Sequence, residues 1–168
     1  MQPRPDIDSL MPRIRVARAK WAQTGGGQVP PGVTPEPAGP GQESVWDYPR
    51  PPEVRPAEAP IRAYLGETLV LESSRALRIV ETAGAPVYYA PREDWRAGVL
   101  APHDDYTICE WKGVATQYDA VAGDARIRWA AFSYDDPLRD LGQGFEQIAG
   151  WPAPHPAMLS CYLGEERV

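Results

Sequence analysis

Apolar and polar positions alternate over short stretches through most of this chain, in the period of strands rather than helices. Ile61 to Leu65 alternates up to Gly66-Glu67, and Thr68 to Leu71 resumes the run. That spacing predicts a two-residue hairpin, with Gly66 supplying a positive φ. Residues 75–82 carry Ala76, Leu77, Ile79 and Val80, which suit a helix as well as a buried strand. Their β-rich neighbours, with Gly84 and Pro86 close behind, favour the strand. Pro86 to Ala90 reads as a strand and Pro91 to Trp95 as one helical turn, with Pro91 at its start and Glu93 and Asp94 set against the dipole. Tyr106 to Cys109 is a short strand ended by Lys112-Gly113. Val114 to Val121 and Ile127 to Tyr134 form the clearest hairpin, turning at Ala122-Gly-Asp-Ala125. Pro137 to Leu141 reads as another helical turn, and Phe145 to Gly150 and Met158 to Leu163 as the last extended pieces. Strands at this spacing, without a long helical pattern, predict a mainly β, all-β domain of sandwich or barrel type.

The first 42 residues differ in kind. Residues 9–22 suit a short helix with Ser9 as N-cap and no breaker after Pro12, but an isolated helix of this length frays unless it docks. Gly25-Gly26-Gly27 and Pro30, Pro31, Pro35, Pro37 and Pro40 then predict an extended linker. Of the 20 prolines and 15 glycines, 8 and 6 fall in residues 1–42. The reading is a disordered Pro/Gly-rich tail over 1–42 and one domain over 43–168, large enough to fold on its own core. Trp46 and Tyr48, in Glu43-Ser-Val-Trp-Asp-Tyr-Pro-Arg-Pro-Pro52, imply an arm laid across that domain.

Charge narrows the function classes. The net −6 divides into +2 for residues 1–42 and −8 for the rest. An acidic domain repels the phosphate backbone, so nucleic acid is not an expected partner. Uninterrupted apolar runs are too short for a membrane span, and the N-terminus lacks a secretory apolar region. Cys109 and Cys161 are isolated and, with only His103 and His155, make no zinc set; no metal or cofactor is expected. Two free thiols fit a reducing cytoplasm, although a Cys109–Cys161 disulfide is left open by the sequence.

Two polar clusters carry candidate chemistry. In Ser73-Ser-Arg75 to Glu81-Thr82, a continuous strand would put Arg75 and Glu81 on one face, where they could bind a polar ligand or form a structural ion pair. In Thr107-Ile-Cys-Glu-Trp-Lys-Gly113, Lys112 beside Trp111 could hold an anion or a carbonyl, or simply end a strand. Cys109 is a weaker nucleophile candidate, since Glu110 next to it opposes thiolate formation. His155, in Pro-Ala-Pro-His-Pro, reads as a surface turn. Five of six tryptophans and all eight tyrosines fall in residues 43–168, a bias that suits a ring-lined pocket as well as a core.

Six ordered motifs carry a family resemblance: Glu43 to Pro52, Ser74-Arg-Ala-Leu-Arg-Ile-Val-Glu-Thr82, Pro86-Val-Tyr-Tyr-Ala-Pro-Arg-Glu-Asp94, Cys109-Glu-Trp-Lys-Gly113, Trp129-Ala-Ala-Phe-Ser-Tyr134 with Pro137, and Gly164-Glu-Glu-Arg-Val168. Over residues 43–168 the chain resembles the proteins carrying domain of unknown function 427. The resemblance implies a β-tent architecture, of the type shared by methionine sulfoxide reductase B and the thalidomide-binding domain of cereblon. The zinc knuckles of that fold are missing here, and no activity comes with the resemblance. The chain departs from the family pattern at Ala153-Pro-His155-Pro156 and in stopping at Val168, which implies an altered or more open pocket wall.

The resulting expectation is a binding module for a small molecule or peptide end. Its pocket is lined by Tyr88, Tyr89, Trp111, Trp129 and Tyr134, with Arg75, Glu81 and Lys112 as polar contacts. The alternatives are a small enzyme using Glu81 with Lys112 or Cys109, and an interaction scaffold working through the arm or the basic tail.

Overall fold

The computed structural model describes residues 4–23 and 29–168. Eleven strands among them form three antiparallel sheets, and no sheet closes into a barrel. The first sheet orders β1 (Glu53–Pro56), β4 (Leu77–Val80) and β5 (Val87–Tyr89) as β1-β4-β5. The second joins β2 (Ile61–Leu65), β3 (Thr68–Ser73), β10 (Ser160–Leu163) and β11 (Glu166–Arg167) in the order β11-β10-β2-β3. The third runs β6 (Leu100–Cys109), β7 (Gly113–Ala122), β8 (Ala125–Ser133) and β9 (Ala153–Pro154) in chain order. The mainly β class expected from the alternation is the class observed.

Turn chemistry sets both hairpins. Leu65 pairs with Thr68 across Gly66-Glu67, and Ala122 with Ala125 across Gly123-Asp124. Gly66 and Gly123 hold φ of 60° and 58°, and in each turn only the first central residue has positive φ, as a type II′ turn requires. Alternation then sorts the side chains: β2 buries Ile61, Ala63 and Leu65 and leaves Arg62 and Tyr64 partly open.

Two interruptions shape the third sheet. Pro102 pairs with Tyr118 and Tyr106 with Thr116, so His103, Asp104 and Asp105 stand opposite Gln117 alone. On the other side of β7, Arg128, Trp129 and Ala130 stand opposite Asp119. The first bulge explains why β6 begins at Leu100 rather than at the expected Tyr106: Pro102 and the two aspartates erase the alternation. Phe145–Ile148, expected as extended, is a 3-10 turn, and Pro137 to Leu141 is irregular rather than helical.

Three clusters of buried side chains hold the layers. One lies between the second and third sheets around Ile61, Leu71, Trp95, Tyr118 and Leu159. A second gathers Ile79, Tyr89, Trp111, Tyr134, Phe145 and Ile148. Burying an aliphatic or aromatic side chain of this size contributes roughly 1.5–3 kcal/mol.

The third cluster corrects the expectation of a disordered tail. Helix α1 spans Ile7–Gln23 and docks on β7, with Leu10 and Ile14 buried against Val114. Ile7, Met11, Tyr106 and Leu138 flank them. Its start is capped by Asp6, whose Oδ1 accepts from Asp8 N at 3.3 Å, rather than by Ser9. Pro12 lies inside the helix, so tertiary contact rather than propensity holds this element. The predicted linker glycines Gly25 to Gly27 lie outside the described residues. The arm does lie across the domain: Tyr48 is buried, and Val45 O and Pro49 O accept from Ala83 N and Thr82 N at 2.9 and 3.3 Å.

Candidate functional site

The three sheets meet around an apolar cavity of about 490 Å³. The first sheet contributes Val87 and Tyr88 of β5, with Ala85 and Pro86 leading into it. Ile61 of β2 and Cys161 of β10 come from the second, and Phe132 of β8 and Pro154 of β9 from the third; His155, Pro156 and Val168 complete the wall. The prolines have a structural reason to be here. They lack a donor, so they sit at strand ends where no ladder bond is lost.

The polar side chains in this wall are few: Tyr88, His155 and Cys161. Burial raises the Cys161 thiol to about 11, so it lines the cavity as a neutral, weakly polar group. Burial also raises Tyr88, the positive charge of Arg78 opposing it in part. Arg78 faces Tyr88 across the β4–β5 ladder and is held by Glu43 and Glu58. No aspartate, glutamate, lysine or arginine lines the cavity.

Most of the residues expected to line a common pocket lie elsewhere. Arg75 and Glu81 do not pair, because β4 covers only Leu77–Val80 and alternation does not carry beyond its ends. Arg75 binds Glu93 at 3.1 Å and Asp94, whose carboxyl is held below the ordinary range chiefly by that hydrogen bond. Glu81 Oε1 instead accepts from Arg50 Nε and from Trp111 Nε1, both at 3.0 Å. Trp111, Tyr89 and Tyr134 are sealed in the second core, where Tyr89 meets Phe132 edge-on at 6.0 Å. Lys112 is buried against the Tyr134 ring at 5.5 Å, with no ion pair among the described residues. Trp129 stands 38% exposed on the outer face of the third sheet, edge-on to His103 at 6.3 Å. Of the expected ring residues only Tyr88 reaches the cavity.

Phe132, His155, Pro86, Val87 and Cys161 were not among the expected site residues. The available signal was the Pro-Ala-Pro-His-Pro run, read as a surface turn, although His155 contributes to the cavity wall. Glu81 shares no hydrogen bond with Lys112 or Cys109 among the described residues; its partners are Arg50 and Trp111. Both cysteines are free, Cys109 half-buried in β6 and Cys161 buried in β10.

A family model described as a domain of unknown function (DUF427) matches residues 53–163, about two thirds of the chain. The chain belongs to the DUF427 family. The matched DUF427 segment begins at β1 and ends with β10, so it holds nearly the whole cavity wall and excludes α1 and the arm. A search of curated proteins finds no match to the chain. Among the described residues no group of His, Cys, Asp and Glu could hold a metal, and no helix is long and apolar enough to cross a membrane.

Proposed function

We propose that this protein is a binding module for a small, uncharged, largely apolar molecule, taken into the cavity where its three sheets meet. The observation that carries the reading is a space of about 490 Å³ walled by Ile61, Val87, Phe132 and three prolines, with no aspartate, glutamate, lysine or arginine. Ligand pockets are typically of this size, mostly apolar, with few polar groups to fix orientation. His155 and Tyr88 serve as those polar groups. A ligand carboxylate brought here would lose its hydration with no lysine or arginine to receive it, which favours a small neutral molecule over a peptide end.

The test compares two compounds with one ring system, 2-naphthalenemethanol and 2-naphthoate, in thermal unfolding of the full chain. The expected result is a dose-dependent rise in Tm with the alcohol that is abolished in an Ala85→Trp variant filling the rim. Equal effects of the alcohol and the carboxylate, or an alcohol effect that survives Ala85→Trp, would overturn the reading.

A further inference from the structure

The pleat that sends Ile61 and Cys161 to the cavity sends their neighbours to the opposite side of the second sheet. There Arg62 and Tyr64 of β2 and Ser160 and Tyr162 of β10 line a separate, open cleft of about 400 Å³. Glu67, in the turn between β2 and β3, and Glu165, in the turn between β10 and β11, join them. Ser160 pairs with Tyr64 and Tyr162 with Arg62, so the two tyrosines stand on a diagonal of the ladder. Their rings meet edge-on at 5.9 Å and 89°. In β3, Leu71 pairs with Ala63 and Leu69 with Tyr64, which leaves Val70 as a bulge beside this corner. Bulges sharpen the local twist, re-aim side chains and recur next to binding and catalytic sites.

The polar groups of the cleft are held in place but not used up. Arg62 Nη2 donates to Gly164 O at 2.6 Å and to Glu165 Oε1 at 3.3 Å, which orients the guanidinium. Its Nε and Nη1 make no hydrogen bond among the described residues, and neither do the hydroxyls of Tyr64, Ser160 and Tyr162 or the Glu67 carboxylate. The balance of charge selects the occupant. An anion would meet the carboxylates of Glu67 and Glu165 against one guanidinium. A cation drawn to the ring faces would meet Arg62, directly opposite Tyr162 in the ladder. A neutral ring bearing several hydroxyls suits every group present. Its C–H face packs on a tyrosine, and its hydroxyls accept from Arg62 and donate to Glu67, because each hydroxyl is donor and acceptor at once.

We propose that this cleft is a saccharide-binding site, taking a neutral pyranose unit across Tyr64 and Tyr162 with Arg62 and Glu67 as its hydrogen-bonding partners. The strands on which four of its six side chains stand give it a preformed geometry. The cleft shares no residue with the cavity, so this inference is independent of the reading given for that space.

The test titrates the full chain with cellotriose and with maltotriose, followed in ¹H–¹³C aromatic and methyl spectra. The expected result is saturable shifts of the Tyr64 and Tyr162 ring signals with at least one trisaccharide, while the Ile61 methyls stay unmoved. Tyr64→Ala is expected to weaken that binding at least about fivefold, through loss of one ring face. Should Tyr64→Ala fail to fold, Glu67→Gln serves instead: it changes an exposed turn residue and is expected to weaken binding at least about threefold. Choline and trigalacturonate are the charged probes, and both are expected to leave the two rings unmoved. Absence of saturable shifts at Tyr64 and Tyr162 with either trisaccharide would overturn the proposal, as would trisaccharide binding that the folded variants leave unchanged. A stronger response to choline or to trigalacturonate would equally overturn it, because the cleft would then serve a charged ligand.

Discussion

Asp119 is buried beneath Trp129, and its replacement by alanine tests how the third sheet holds its exposed tryptophan. Trp129 adopts φ 56°, a left-handed conformation that costs a non-glycine residue roughly 1–2 kcal/mol. The Asp119 carboxylate accepts the Trp129 N–H at 3.2 Å and two bonds from Arg126, at 2.9 and 2.7 Å. Asp119→Ala leaves the Trp129 N–H without that acceptor, at a cost of about 1–3 kcal/mol for a buried donor. Arg126 is 60% exposed, so it returns to water and adds only ~0–1 kcal/mol. The expected loss is therefore about 1–4 kcal/mol by urea unfolding near neutral pH, with a red shift in Trp129 emission. Burial pushes the Asp119 carboxyl up, but hydrogen bonds from Arg126 and Trp129 N–H outweigh it, with the Arg126 charge, and leave the pKa below the ordinary aspartate value. A lowered folded pKa stabilises above the unfolded value of about 3.9 and is lost as pH falls through the folded one. The difference between wild type and variant should thus be constant from pH 5 to 8 and narrow in acid. A loss below ~0.5 kcal/mol with unchanged Trp129 emission would refute the reasoning.

Two further outcomes follow from the second core. Lys112→Met should lie within about 1 kcal/mol of wild type in urea unfolding, since the Lys112 stem is buried as a methionine would be and the contact of its ammonium with the Tyr134 ring is worth only ~0.5–1 kcal/mol; a loss above ~2 kcal/mol would show that the charge is engaged. Tyr89 and Tyr134 are raised well above the ordinary tyrosine value, chiefly by burial, and the Tyr89 hydroxyl has no hydrogen-bond partner. A phenol whose folded pKa is raised stabilises below the unfolded value of about 10, and that stability is lost as pH rises beyond it. Urea midpoints should therefore fall between pH 9.5 and 11, less steeply in Tyr89→Phe; identical slopes would contradict the assignment.

Local chemistry made much of the fold legible. Gly66 and Gly123 each specify a turn from within four residues, and the alternation on either side needs no partner to be read. The docking of α1 left a trace as well, in Ile7, Leu10, Met11 and Ile14, spaced along one helical face. Its receiving surface, Val114 and Leu138, lies about a hundred residues away, so the stripe alone did not distinguish a docked helix from a fraying one. The site was less accessible for the same reason. Tyr88 and Tyr89 are neighbours, yet the pleat sends one to the cavity and the other to a sealed core. Which side becomes a cavity depends on how three sheets meet, and no single strand carries that information. The wall is also built partly from prolines and His155, residue types that sequence patterns assign to turns.

The most direct test of the cavity reading is a ¹H–¹³C methyl spectrum of the full chain titrated with 2-naphthalenemethanol. The account predicts saturable ring-current shifts at Ile61 and Val87, with Leu10 and Ile14 in the helix-docking cluster unmoved. Shifts confined to surface methyls, or none at Ile61 and Val87 at saturating compound, would contradict it.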